Sequence, residues 1–122
     1  MQNILEQLPR LTTQPSDLQI CNEALHLVAA KQIGSLDDET DEAKCISVIY
    51  PGLKEMMLNG YPWKFDIAGD DRPVDFTIAL MLRLSAEICI PITNNSSKAR
   101  FLFDQAEYAL RSARGKHQGS VS

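Results

Sequence analysis

Residues 74–90, VDFTIALMLRLSAEICI, are apolar on nearly every side of a helix, and this run constrains the architecture more than any other. Its main charged edge is Arg83 and Glu87, an i,i+4 pair one turn apart. Such a helix lies at the centre of a fold or is covered by a second subunit, because it would otherwise hold large aliphatic side chains in water. Pro91 is the expected end of the run.

Three further segments carry a one-sided helical period, and these are the elements available to cover it. The first opens with Ser16-Asp17-Leu18-Gln19, a capping-box pattern. Leu18, Cys21, Ala24, Leu25 and Val28 form its apolar stripe, predicting a helix over 17–31 with Gly34 as the stop. Ser35–Glu42 holds Asp37, Asp38, Glu39, Asp41 and Glu42, with Thr40 as the expected N-cap of the second helix. There Ala43, Ile46, Ile49, Tyr50, Leu53, Met56 and Met57 share one side, Pro51 predicts a kink near 47–51, and Asn59-Gly60 is the stop. After the turn-and-cap cluster Thr93–Ser96, the last helix carries Ala99, Leu102, Phe103, Ala106, Ala109, Leu110 and Ala113, and the alanines on this stripe permit close approach to 74–90. Gly115 is its expected C-cap.

No alternating strand pattern and no internal repeat is present. The expectation is an all-α, four-helix bundle-like single domain over 16–114, with an extended N-terminal arm at 1–15 and a flexible C-terminal tail at 115–122. Tyr61–Phe65 is expected to be extended ahead of a polar turn. Tyr61, Pro62, Trp63 and Phe65 there act as a lock on the core, or Trp63 serves as a platform for stacking a ligand.

A chain of 122 residues fits one domain, and 44% hydrophobic with 23% charged residues is ordinary for a soluble globular protein. The net charge of −4 argues against a protein that grips nucleic acid. The start, MQNILEQLPRL, has no signal-peptide pattern, and no uninterrupted apolar run is expected to reach the ~18 residues of a membrane span. Three cysteines, an odd number, are then expected as reduced thiols in a cytosolic setting.

Chemistry needs converging groups, and the sequence offers few. His26 and His117 are the only histidines, and Cys21, Cys45 and Cys89 stand 24 and 44 positions apart, which fits neither a zinc motif nor a Cys–His nucleophile. The glycines are isolated, without a phosphate loop, and there is no serine-hydrolase elbow. The acidic turn of Asp37, Asp38, Glu39, Asp41 and Glu42 lacks the spacing of an EF-hand. It fits a solvated helix start, or an annulus that repels DNA phosphates. Arg111, Arg114, Lys116 and His117 either complement a helix C-terminus or form a docking element for a partner. No catalysis, no metal and no cofactor are expected.

The order of residues goes further. Cys21-Asn22-Glu23-Ala24-Leu25, a short loop with Ile33-Gly34-Ser35-Leu36, an acidic turn, Glu42-Ala43-Lys44-Cys45, Tyr50, Leu53-Lys54-Glu55, Leu58 and Tyr61-Pro62-Trp63-Lys64-Phe65 follow one another. This resembles the head-to-tail connector (adaptor, head-completion) proteins of tailed bacteriophages, including the tail tubular protein A group. Ala79-Leu80, Leu82-Arg83-Leu84-Ser85 and Asn94–Ala113 are similar to the closing helical hairpin of that family. The chain departs from the pattern at Asp66, where alanine is usual, and in the shortness of the segment between Phe65 and Val74.

The resemblance implies a structural virion protein at the neck, made in the bacterial host cytoplasm. It forms a ring, commonly of twelve subunits, beneath the portal protein, and presents a platform to the next neck or tail component. DNA only passes through its channel and no membrane is involved. The resemblance assigns portal docking to the C-terminal segment from Arg111 onward and leaves the acidic turn as candidate channel lining. The alternative from another class is a small all-helical regulatory or interaction module, antitoxin-like or adaptor, that binds one protein partner.

Overall fold

The computed structural model describes residues 16–60 and 74–119, with side chains over 16–60 and 76–112. The arm at 1–15, the Tyr61–Phe65 lock and the polar turn to Pro73 lie outside the described residues. Four helices follow one another: α1 (Asp17–Leu27), α2 (Asp41–Gly60), α3 (Val74–Thr93) and α4 (Ser96–Gly119). The chain is all-α and bundle-like, with no strand among the described residues.

α3 is the central element. α4 runs along it in a helical hairpin, while α1 and α2 pack on it separately from α4. Phe76, Ala79, Leu80, Leu84, Ile88 and Cys89 of α3 are buried with no more than traces of exposure. They meet Ile20, Cys21, Ala24 and Leu25 of α1, Ile46, Tyr50, Leu53 and Met57 of α2, and Ala99, Leu102 and Leu110 of α4 in one core. Its only buried polar side chain among the described residues, Ser85, donates to the Leu82 carbonyl oxygen at 2.7 Å and so costs little. The eighteen residues Phe76–Thr93 reach the length and apolarity of a membrane-crossing helix. This corrects the expectation that no run reaches that length. Here the apolarity serves central packing, and Arg83 and Glu87 pair at 2.9 Å on the rim.

Caps decide where each helix begins. Ser16 Oγ accepts from the Gln19 backbone N–H at 3.1 Å while Gln19 Oε1 accepts from Ser16 N–H at 2.8 Å, the expected capping box. Thr40 Oγ1 accepts from Ala43 N–H at 3.1 Å, the expected cap of α2. Asn95 Oδ1 accepts from Lys98 N–H at 3.0 Å and caps α4.

α2 ends at Gly60, as expected, but the ends of the other three helices differ from expectation. α1 stops at Leu27, not near residue 31, because Ala29 turns left-handed with φ 58. Ala29 N–H then donates to His26 O at 3.0 Å and Ala30 N–H to Leu25 O at 2.9 Å, a Schellman arrangement that uses alanine where glycine is the usual residue. α3 runs through Pro91 to Thr93. A proline this near the end removes only one bond, and Pro91 itself lies exposed. Asn94, with φ 57, ends the helix. α4 does not stop at Gly115 but continues to Gly119, so positions 115–119, expected in a flexible tail, are helical. α2 remains one helix across Pro51, which sits on its exposed side.

Cross-ties hold α1, the loop and α2 together. Asn22 pairs with the backbone of Ile33 twice, accepting from its N–H at 2.8 Å and donating to its carbonyl oxygen at 2.9 Å. Tyr50 Oη donates to Asp17 Oδ1 at 2.7 Å, and Lys54 Nζ reaches the same oxygen at 2.9 Å. A hydrogen bond to a charged acceptor contributes about 1.5–3 kcal/mol. A partly exposed ion pair contributes less than about 1 kcal/mol, so the tyrosine is the stronger tie. Ala29 and Asn22 give opposite expectations on urea denaturation. Ala29→Gly relieves the left-handed strain and stabilises the chain by about 1 kcal/mol. Asn22→Ala strands both polar groups of Ile33 and costs about 2 kcal/mol.

Candidate functional site

The cysteines, the acidic loop and the outer faces of α2 and α4 are the places where the described residues offer chemistry. The three thiols are free and do not pair. Cys21 is fully buried, and its thiol is pushed up to about 12, first by burial and then by the Asp17 carboxylate, with Lys54 opposing. Burial also pushes up the half-buried Cys45 thiol. Cys89 is buried, 3.5 Å from both Thr93 Oγ1 and the Asn95 carbonyl oxygen. A thiol reacts as its thiolate, so Cys21 and Cys45 are poor nucleophiles at neutral pH. His26 is exposed on α1. Among the described residues no three His, Cys, Asp or Glu side chains converge on a metal position.

The acidic turn is not one uniform patch. Asp38 Oδ2 accepts from Gly34 N–H at 2.8 Å and from Ser35 N–H at 3.2 Å, so this carboxylate holds the loop's own backbone. Glu42 is half-buried in the first turn of α2. Asp37, Glu39 and Asp41 remain exposed, and Glu39 meets Lys44 only at 4.0 Å, with both side chains largely in water. Three of the five expected carboxylates are therefore free to set a surface potential, and Asp38 is a structural residue. Of the basic C-terminal set, Arg111 is exposed. Positions 114, 116 and 117 fall in the last turns of α4, and their side chains lie outside the described residues, as does Trp63.

What the sequence reading passed over is the apolar material left outside. Val48 on α2 is 82% exposed, and Phe101 and Tyr108 on α4 are 59% and 65% exposed. Ile78 and Ile90 are also exposed, and so is Met56, which corrects its placement on the inner side of α2: it lies one turn from Gly52 on the outer face, while Met57 is the buried one. The signal was present: Val48, Phe101 and Tyr108 are the large apolar residues that fall off the stripes of their own helices. Phe101 and Tyr108, seven apart, share one face of α4. Phe103, by contrast, is on the inner edge under Arg83, whose guanidinium lies 5.2 Å from the ring centre.

The Cys21 thiol carries a pH signature. The fold favours its neutral form, whereas in the unfolded chain it ionises near its ordinary value of 9.0. Its contribution is complete below pH 9.0 and is lost as pH rises from there towards about 12. The denaturation midpoint of the wild-type chain therefore falls more steeply over that window than that of Cys21→Ala, measured by circular dichroism. Comparison of the chain with protein-family models, with characterised proteins and with solved structures finds no match.

Proposed function

We propose that this chain is a non-catalytic structural subunit that assembles with copies of itself into a ring, as a head-to-tail adaptor beneath the portal of a tailed bacteriophage. One observation carries the reading. Large apolar side chains stay in water on both α2 and α4, two helices that pack on α3 rather than on each other. A subunit in a ring needs two different sticky faces, one for each neighbour, because a head-to-tail contact is heterologous. The resemblance of residues 18–114 to the adaptor family, in the order of its motifs, supports the same reading.

In this assignment the C-terminal end of α4, with Arg111, Arg114, Lys116 and His117, faces the portal. The exposed carboxylates Asp37, Glu39 and Asp41 line or border the DNA channel, where like charge keeps the phosphate backbone from adhering. The apolar faces would also serve an interaction module with a single protein partner, and stoichiometry separates the two readings.

Sedimentation velocity and negative-stain electron microscopy of the chain, alone and mixed with portal rings, test the proposal. The expected outcome is a closed ring, free or seated on one end of the portal. A chain that stays monomeric and ignores portal rings overturns it, and a one-to-one complex with a cytosolic protein replaces it with the interaction module.

A further inference from the structure

We infer that α4 of one copy packs antiparallel on α2 of the next, with Phe101 seated over Gly52. The inference rests on the ring reading above and names its seam.

Gly52 is the first observation. It lies exposed in the middle of α2, and a Cβ added there would meet nothing within 4 Å among the described residues. Glycine is a poor helix former, and nothing among the described residues requires one at this position. Its neighbours on the outer face are Val48 and Pro51, both exposed, so the middle of α2 presents a shallow apolar saddle. A missing side chain on an outer face leaves room for something that approaches from outside.

The outer face of α4 supplies a shape that fits. Phe101 and Tyr108 stand out as two aromatic knobs one above the other. Beside them runs a row of exposed charges, Arg100, Glu107 and Arg111. The outer face of α2 has its own row, with Asp41, Lys44 and Glu55 exposed around the saddle.

Charge selects the direction. With the helices antiparallel and Phe101 opposite Gly52, Arg100 falls two residues from the position facing Glu55. Glu107 falls two from Lys44, and Arg111 one from Asp41. Offsets of one or two residues amount to about 1.5–3 Å along a helix, within reach of these side chains. All three pairs are of opposite sign, and the like-signed approach of Arg111 to Lys44, two residues off, is outweighed by Asp41 one residue off. A parallel arrangement with Phe101 over Gly52 sets Asp104 opposite Glu55, and moving Phe101 to Val48 brings Glu107 beside Glu55. Both parallel registers oppose like charges, which is unfavourable across an interface. Arg111 and Asp41 then belong to the seam, which narrows the portal face to Arg114, Lys116 and His117 and the channel lining to Asp37 and Glu39.

Reversal of one charge pair tests the seam by sedimentation equilibrium. Lys44→Glu and Glu107→Lys are each expected to weaken self-association about tenfold or more, and the double variant to restore it. Gly52→Leu fills the saddle and is expected to abolish assembly without lowering the melting temperature, because the position is open in the single copy. A multimer indifferent to all of these variants overturns the seam and leaves the ring reading standing. A complex that obeys the charge swap but stops at two copies keeps the seam and overturns the ring. Absence of self-association at every concentration overturns the seam, and the portal-mixing experiment then judges the ring by itself.

Discussion

Everything in this fold answers to the need to cover α3. Its circumference is apolar except for the Arg83–Glu87 edge, so helices have to pack on more than one side of it. α4 takes one side, with alanines at positions 99 and 106 fully buried, and α1 and α2 take the rest. The covering is incomplete in a specific way: Ile78 and Ile90 remain exposed, as do residues on the outer faces of the covering helices. The most exposed of these are Val48 at 82% and the aromatics Phe101 and Tyr108.

Features that depend on near neighbours in the chain were legible before the structure. The Ser16–Gln19 box, the Thr40 cap, the Arg83–Glu87 pair and the core stripes are set by residues three or four apart, where helical geometry leaves little choice. The helix ends were less legible. No sequence signal marks Ala29 as left-handed, because alanine is an unfavourable residue there and is held by two backbone bonds. Pro91 looked like a stop, yet a proline in the last turn of a helix forfeits too little to end it.

The candidate site divides the same way. That the cysteines would be buried or half-buried followed from their places within apolar periodic segments. The acidic turn was visible as composition, but the capture of Asp38 by Gly34 and Ser35 depends on how the loop folds back, which composition does not encode. The outer faces were legible in principle, as apolar residues out of phase with their own stripe. Periodicity marks the residues that obey it, and Val48, Phe101 and Tyr108 do not.

The loop between α1 and α2 has one more consequence. Asn22 grips it at Ile33, and Ser47 Oγ donates to the Leu36 carbonyl oxygen at 2.8 Å, so side chains from both helices hold the same short segment. Asp38 stiffens it between Gly34 and Ser35, and the Asp17–Tyr50 bond joins the two helices directly. Such a loop is a strut rather than a tether. Load applied to α2 by a neighbouring molecule passes through it into α1 instead of being absorbed by a bending linker, and the two helices bear on α3 as a single lever.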